Sequence, residues 1–193
     1  MAEDMRHDDG RPAPEGASPS AGGAAGTAGE PEVIEQRGRY ADEMALGQVY
    51  LHRPGRTLTE ADNVLFTTLT MNPQALHLDH AFAQSQPFGK PLMNSMLTLS
   101  TLIGLSVGQT TQGTLVAQLG LGEISFPHPL FHGDTLYARS TVTAIRESSS
   151  RPGQRIVTFD LEGTNQDGTV VAKAQRTCLM WTQEAHRAAE SGA

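Results

Sequence analysis

Apolar and polar residues alternate along four segments in the C-terminal half of the chain. Each segment is rich in β-branched residues, and in the third segment Val157, Phe159 and Leu161 fall on one face. This period of two predicts half-buried β-strands. The four predicted strands cover residues 114–126, 135–148, 155–164 and 169–183.

Two connections between these strands have the composition of tight turns. The segment "SSSRPGQ" joins the second strand to the third, and "NQDG", with the pair Asp167-Gly168, joins the third to the fourth. Asp-Gly favours a β-hairpin because glycine adopts positive φ without steric cost. The last three strands are therefore predicted to be antiparallel neighbours.

Helical spacing replaces this alternation in the middle of the chain. Thr59 predicts an N-cap with Asp62 as the reciprocal acid of a capping box, at the start of a helix of about ten residues. The apolar residues with helical spacing in this helix are Ala61, Val64, Leu65 and Leu69. Farther along, Ser95 opens a longer helix, from Met96 to about Val107, that is apolar around most of its circumference. Such a helix is predicted to be buried.

Two shorter elements complete the pattern. The segment "QVYLHR" predicts an edge strand that ends at a Pro54-Gly55 turn, and Asp79 is placed to cap a short helix over His80–Gln84. One buried helix followed by four long antiparallel strands predicts an α+β fold, in which the sheet wraps around the long central helix.

Composition divides the 193 residues unevenly. Residues 1–35 carry eight acidic and two basic residues, a net charge of −6 within a total of −7, and they are rich in Gly, Pro, Ala and Ser. Such a segment buries too little apolar surface to offset the entropy of ordering. We therefore predict a disordered acidic tail over residues 1–36, a single domain over residues 37–183 and a flexible C-terminus over residues 184–193.

Several classes of partner are disfavoured. The body of the chain is close to neutral, whereas a nucleic-acid surface needs a clustered basic face. The most apolar segment, "LMNSMLTLSTLIGLSVG", is shorter and more polar than a membrane span. Cys178 is the only cysteine and lies in a predicted strand, so a buried small side chain is expected there. The N-terminus is acidic, and no signal peptide is expected there. Together these features predict a cytoplasmic protein.

Four segments follow one another in a characteristic order: "GRTLTEADNVLFTTLTMN", "NPQALHLDHAFA", "FGKPLMNSMLTLS" and "FPHPLFHGDTLYA". Together they resemble the MaoC-like dehydratases of the hot-dog fold, the family that includes (R)-specific enoyl-CoA hydratases. The resemblance covers about residues 40–182, and within the family the chain is similar to the branch of mesaconyl-CoA hydratases and β-methylmalyl-CoA dehydratases.

The resemblance implies reversible addition of water across the 2,3 double bond of an enoyl thioester. The substrate would be a coenzyme A thioester, with no further cofactor. The family also implies a homodimer or higher homo-oligomer whose sheets join edge to edge, with the acyl tunnel at the subunit boundary. Lys90 or Arg139 of the partner would then face the CoA phosphates, unless they are ordinary surface charges.

The chain departs from the family pattern at two places. Asn72 stands where the family carries an acid five residues before a histidine, and Asn94-Ser95 stands where the family carries His-Gly. An amide can donate and accept hydrogen bonds but cannot take a proton. We therefore predict that His77 is the base and that Asn72 positions the water and fixes the tautomer of His77.

The start of the long helix is the predicted site for the thioester oxygen. Free N–H groups and the positive end of the helix dipole meet there, and the Ser95 N–H is the candidate donor, unless its hydroxyl serves only as a cap. Asn94 either contacts the thioester or shapes the loop. Met96 and Phe131 are predicted to line the acyl pocket. Asp79 is expected to cap its helix and could also contact His77 near the substrate.

No metal is predicted, because His128, His132 and Asp134 fit no closed zinc pattern. Two alternative functions stay open. A thioesterase of this fold would usually carry an acid on the central helix, and Met96–Val107 contains none. A catalytically silent acyl-CoA-binding subunit, paired with an active homologue, would explain Asn72 in the place of the acid.

Overall fold

Five antiparallel strands form one sheet in the computed structural model, which describes residues 31–192. The strands are β1 (Val49–Thr57), β2 (Leu115–Ser125), β3 (Thr135–Glu147), β4 (Gln154–Thr164) and β5 (Val170–Trp181). Their spatial order is β1-β3-β4-β5-β2, so β1 and β2 are the two edges. The four predicted C-terminal strands and both hairpins are confirmed.

The helices lie before, between and after the strands. They are α1 (Glu60–Leu69), α2 (Ala75–Leu78), α3 (His80–Gln84), α4 (Ser95–Thr110) and α5 (Gln183–Ser191). A short 3-10 turn covers Ala41–Glu43. The sequence predicted the capping box of α1, and the structure confirms it: the Asp62 N–H donates to Thr59 Oγ1 and the Thr59 N–H donates to Asp62 Oδ2. The N-cap role of Asp79 is confirmed as well, because its Oδ1 accepts from the Phe82 N–H.

The core lies between α4 and one face of the sheet, as predicted. Val157, Phe159 and Leu161 of β4 are buried there, together with Leu102 of α4 and Leu136 of β3. Full burial of each such side chain contributes about 1.5–3 kcal/mol. Gly163 allows the close approach of helix and strand, since a Cβ atom at that position would lie 3.3 Å from Leu102 Cδ1 and 3.0 Å from Leu136 Cδ1.

The first strand is longer than predicted. Instead of ending at Pro54-Gly55, β1 continues to Thr57, and its register against β3 shifts between His52 and Arg56. Proline lacks the N–H that a sheet ladder needs, and an edge strand absorbs it in a bulge. The prediction of an edge strand is confirmed, whereas its predicted end is wrong.

The long helix also differs from its predicted bounds. It extends three residues past Val107, to Thr110, and its N-cap is Asn94, whose Oδ1 accepts from the Met96 N–H at 2.9 Å. The Ser95 hydroxyl therefore does not cap this helix. Asn94 outcompetes Ser95 because the residue before the first helical turn can direct its side chain at the second N–H of the helix.

The C-terminal segment predicted to be flexible forms α5 instead. Thr182 caps this helix, the His186 ring stacks on the Trp181 ring at a centroid distance of 5.4 Å, and Tyr40 Oη lies 3.2 Å from His186 Nδ1. These contacts over distant parts of the chain give the segment an ordered conformation.

The helix α1 presents a different face to the protein than its apolar pattern suggests. Its buried residues are Asn63 and Thr67, while Leu65 and Leu69 are 61% and 74% exposed. The polar pair at i and i+4 lies toward the beginning of α4, where Asn63 bonds to backbone groups and Thr67 Oγ1 accepts from the Asn94 side chain.

Residues 35–192 belong to one compact unit. The tail prediction falls mainly on residues 1–30, which lie outside the described residues. No helix within residues 31–192 is long and apolar enough to cross a membrane.

Candidate functional site

His77 lies on α2 and is half-buried, with its ring turned toward the loop before α4. Its Nδ1 lies 2.9 Å from the carbonyl oxygen of Leu92. Because a carbonyl only accepts, His77 Nδ1 must carry the hydrogen of the neutral ring. The lone pair of the imidazole is therefore on Nε2, the nitrogen that can act as a base. Within residues 31–192, that nitrogen has no hydrogen-bond partner.

Asn63 connects the segments around this histidine. Its side chain is fully buried, and Nδ2 donates to the Leu92 carbonyl at 3.0 Å and to the His77 carbonyl at 3.2 Å. Its Oδ1 accepts from the Asn94 N–H at 2.8 Å. One amide thus joins α1, α2 and the beginning of α4.

The first N–H groups of α4 are not equivalent. The Asn94 N–H is used by Asn63, and the Met96 N–H is capped by the side chain of Asn94. The Ser95 N–H between them makes no hydrogen bond among the described residues. This free donor at the positive end of a helix of 16 residues is suited to stabilise an anionic oxygen.

A cavity of about 260 Å³ opens beside Ser95. Most of its lining is apolar, and it includes Phe88, Leu92, Met93, Ser95, Phe126 and Leu130. Its size and composition suit a short acyl group. His77 and Asn72 do not line this cavity in the single chain. Leu92 connects the two parts of the predicted site, since it lines the cavity and its carbonyl holds His77.

Asn72 does not contact His77 through a hydrogen bond in the described part of the chain. Its Oδ1 accepts from the Gln74 N–H at 3.0 Å, which forms a local turn before α2. The predicted role of Asn72 in fixing the tautomer is therefore wrong, because the Leu92 carbonyl fixes it. The Leu92 carbonyl lies 15 residues farther along the chain, in a loop. A contact of this kind has no signature in the sequence, which explains the error.

The four other predicted site residues, Asn94, Met96, Phe131 and Asp79, have different surroundings. Asn94 is 4% exposed, and its Nδ2 donates to Thr67 Oγ1 at 3.2 Å. Met96 is 48% exposed on α4. Phe131 packs edge-to-face on Phe88, a residue of the cavity wall, and lies under the Lys90 ammonium at 3.8 Å. Asp79 caps α3, and no hydrogen bond joins it to His77 among the described residues.

Glu60, His80 and His132 place ligand atoms within 4.8 Å of one another, so they are the candidates for a metal. His132 Nε2 accepts from Asn63 Nδ2 at 3.0 Å, and burial lowers the pKa of His132. A metal on Nε2 would displace Asn63, and a metal on Nδ1 would force an Nε2–H against the Asn63 amide hydrogens. Asn63 therefore opposes metal binding by this trio. Glu60 is instead paired with His80 Nε2 at 2.7 Å, a hydrogen bond that lowers the pKa of Glu60.

A larger cavity of about 570 Å³ lies at the C-terminal end of α4, beside Gly108 and Gln109. His52, to which the sequence assigned no role, borders it. Both ring nitrogens of His52 have partners, Gln109 Oε1 at 2.9 Å and Ser140 Oγ at 2.7 Å, and burial lowers the pKa of His52. This histidine is therefore a satisfied core residue.

Comparisons with known proteins place this geometry among related enzymes. A family model described as "MaoC like domain" matches residues 42–162. The chain is 28% identical to the mesaconyl-CoA hydratase of Cereibacter sphaeroides, over 74% of this chain and 41% of that protein. It is 39% identical to the (R)-specific enoyl-CoA hydratase of Aeromonas caviae, over 45% of this chain and 63% of that protein. The match thus spans less than two thirds of the length of either relative.

A solved structure agrees with these sequence matches. The MaoC-like dehydratase from Rhodospirillum rubrum superposes with a TM-score of 0.67 at 28% identity, over 76% of this chain and 99% of that chain.

Proposed function

Because the chain belongs to the MaoC-like domain family, whose members adopt the hot-dog fold, we propose that it adds water to, or removes it from, an enoyl-CoA thioester. The substrate class follows from the relatives named for mesaconyl-CoA and enoyl-CoA hydration. The reaction breaks one O–H bond of water and the π bond between C2 and C3, and it forms one C–O bond and one C–H bond. It therefore requires a base that carries the proton from water to C2 and a group that stabilises an enolate.

In this proposal His77 Nε2 is the base. As the water oxygen bonds to C3, its proton passes to Nε2, and the electrons of the double bond move to the thioester. The resulting imidazolium then returns the proton to C2, which restores the thioester carbonyl. The tautomer described above supports this role, because Nε2 enters the cycle with a free lone pair.

The Ser95 N–H is the proposed donor to the thioester oxygen. Negative charge develops on that oxygen as the enolate forms, and a fixed N–H at a helix N-terminus stabilises it without reorganisation. Asn63 and Asn94 satisfy the neighbouring N–H groups, so Ser95 is the donor that the helix leaves for a ligand. Asn94 thereby shapes the site from beneath it.

Asn72 is proposed to orient the attacking water. Its oxygen is used in the turn with Gln74, while its Nδ2 makes no hydrogen bond within residues 31–192. That nitrogen can donate to the water oxygen and leave the water protons free for His77. The amide itself cannot take the proton, so His77 is the proposed base.

The acyl group is proposed to occupy the cavity beside Ser95, with Phe131 and Met96 near its mouth. Lys90 lies close to Phe131 and is the better candidate for a CoA phosphate. Arg139 is already paired with Glu162 at 3.0 Å on the sheet.

A homodimer is proposed to complete the site. In one chain His77 does not reach the cavity that Ser95 lines, so the substrate must find part of its surroundings elsewhere. The edge strand β2 ends at Ser125, and Phe126 directly after it lines the cavity. A partner strand paired at β2 would therefore stand beside the acyl group.

The observation that carries the proposal is the hydrogen bond from His77 Nδ1 to the Leu92 carbonyl. Leu92 lies two residues before Asn94, the N-cap of α4. The test is hydration of crotonyl-CoA and mesaconyl-CoA, followed by loss of the enoyl absorbance. We expect turnover of at least one thioester, and His77→Ala should lower kcat by about a hundredfold to ten-thousandfold. His80→Ala, three residues away and outside the proposed site, is the matched control and should retain full activity. Full activity of His77→Ala would refute the proposal.

The same assay separates the two alternatives. A thioesterase would release free thiol from an acyl-CoA, although α4 contains no acidic residue. A silent subunit would bind acyl-CoA in a calorimeter without turning it over, and Asn72→Asp would leave that behaviour unchanged.

A further inference from the structure

Asn63 is a buried amide in direct contact with the backbone of His77, but it has no assigned role in the proposed reaction. We propose that Asn63 is a positioning residue, which holds His77 in its Nδ1–H tautomer and fixes it relative to the N-terminus of α4. The catalytic part of this inference rests on the proposed function, whereas the structural part concerns the histidine ring alone.

The orientation of the Asn63 amide is determined by its partners. Its Oδ1 faces an N–H group, that of Asn94. Its Nδ2 faces the carbonyl oxygens of His77 and Leu92 and also Nε2 of His132, and these three acceptors share its two hydrogens. Exchanging oxygen and nitrogen would place a carbonyl against two carbonyls and an NH₂ against an N–H. Only one orientation of the amide therefore satisfies its hydrogen-bond partners.

Asn63 holds His77 at both ends. The main-chain carbonyl of His77 and the carbonyl that accepts from its ring bond to the same nitrogen, Asn63 Nδ2. Leu92 O accordingly receives two donors, Asn63 Nδ2 at 3.0 Å and His77 Nδ1 at 2.9 Å, which use both of its lone pairs. These contacts fix the orientation of the His77 ring, with its protonated Nδ1 toward the Leu92 carbonyl.

The same side chain links the base to the proposed oxyanion donor. Asn63 Oδ1 accepts from the Asn94 N–H, and Ser95 follows Asn94 at the first position of α4. The Asn63 amide therefore fixes the position of His77 relative to the Ser95 N–H. An apolar side chain at position 63 would leave the Asn94 N–H and the His77 carbonyl without this partner, and the Leu92 carbonyl would keep only His77 Nδ1. It would also let α2 and α4 move independently.

The test is the ring nitrogen spectrum of His77 in protein labelled with ¹⁵N-histidine. It is recorded at a pH of about 8, where an unperturbed imidazole is neutral, and His77→Gln assigns the signals. In the wild type we expect one nitrogen of the protonated type at Nδ1 and one of the unprotonated type at Nε2. In Asn63→Leu, which keeps the number and branching of heavy atoms and removes every polar contact, both signals should move to averaged positions of mixed tautomers.

Two further variants keep the result decisive. Asn63→Asp retains the acceptor for the Asn94 N–H and loses both donors, so it should fold more readily and still give mixed tautomers. Thr67→Val removes a buried hydrogen bond one turn later on the same helix, without touching His77 or Leu92, and should leave the His77 signals as in the wild type. Unchanged His77 signals in both folded Asn63 variants would overturn the proposal.

Enzyme kinetics provide the second readout. Displacing a catalytic group by about 1 Å can lower a rate by about a hundredfold, so Asn63→Leu and Asn63→Asp should lower kcat by about tenfold to a hundredfold, with KM changed by less than about threefold. If the wild type turns over no enoyl thioester, the proposed function fails while the tautomer experiment still decides the role of Asn63. A wild-type kcat in both Asn63 variants would overturn the catalytic part.

Discussion

The side chains of Asn63, Asn72 and Asn94 each use an amide oxygen to accept from a backbone N–H group. Their nitrogens differ. Asn63 donates to two carbonyls and Asn94 donates to Thr67, whereas the nitrogen of Asn72 has no partner within residues 31–192. This difference divides their work, because two of the amides complete the scaffold and one can act on a ligand. An amide in the place of an acid is consistent with a water-binding position whose base is His77.

Another residue-scale feature is the ion pair between Glu43 and Arg37. Glu43 accepts from Arg37 Nη1 at 2.6 Å, from Arg37 Nη2 at 2.7 Å and from the Tyr40 N–H at 2.8 Å. The hydrogen bonds from Arg37 lower the pKa of Glu43 from 4.5 to about 2. A carboxyl whose pKa is depressed in the folded state stabilises the fold above its unfolded pKa and loses that effect as pH falls through its folded pKa.

We therefore expect Glu43→Gln to lower the free energy of unfolding by about 1 kcal/mol at pH 7, a value reduced by solvent screening of the pair. The difference between wild type and variant should shrink as pH falls from about 4.5 to about 2. Urea unfolding at several pH values measures it. Glu184→Gln, at an exposed position of α5, is the control and should show no such dependence. A difference that stayed constant down to pH 2 would contradict the assignment.

At the scale of elements, local patterns and caps are sufficient to predict α1, α3, α4 and all five strands, although the predicted end of β1 is wrong. These features depend on residues close together in the sequence, such as Thr59 and Asp62. The buried face of α1 could not be predicted in this way, because Asn63 is buried for its bonds to groups 14 to 31 residues away. A polar pair at i and i+4, Asn63 and Thr67, between exposed apolar residues was the available signal.

The helix α5 shows the same limit. Its sequence is polar and short, so local propensity gives little reason for order. Its contact with Tyr40 joins residues 146 positions apart, whereas the Trp181 ring stacks on His186 from directly before the helix. The turn between β3 and β4 also supports it. Gly153 has φ of 77°, and a Cβ atom at that position would lie 2.5 Å from Ala185 Cβ.

This close approach predicts different costs for two glycines of similar backbone. Gly168 also has φ of 77°, but a Cβ atom at that position would have no atom within 4 Å. Gly168→Ala should cost about 1–2 kcal/mol from backbone strain alone. Gly153→Ala should lower the free energy of unfolding by about 1 kcal/mol more than Gly168→Ala does, because α5 must move away. Thermal unfolding of both variants, in the full chain and in a chain ending at Thr182, measures the excess. Equal costs in the full chain would show that α5 does not pack on this turn.

At the scale of the whole molecule, the two edges of the sheet are chemically similar but have different surroundings. Each carries exposed apolar residues, Val49 and Leu51 on β1 and Leu119 and Ile124 on β2. Only β2 leads directly into the wall of the cavity beside Ser95, through Phe126. An unpaired strand edge offers a row of backbone donors and acceptors to another chain. Edge pairing at β2 would therefore bring a second protomer to the cavity, whereas pairing at β1 would not.

We expect the protein to be a dimer by light scattering coupled to size-exclusion chromatography. Leu119→Glu combined with Ile124→Glu should give monomers that retain the fold but lose turnover, because each partner would bury two charges at the interface and the cavity would lose one wall. The matched pair Val49→Glu and Leu51→Glu places the same charges, at 53% and 59% exposed positions, on the opposite edge and should leave both assembly and activity intact. A wild-type monomer with full activity would place the complete site within one chain. A dimer broken by the β1 pair instead would move the interface to the other edge and leave the cavity beside Ser95 open to solvent.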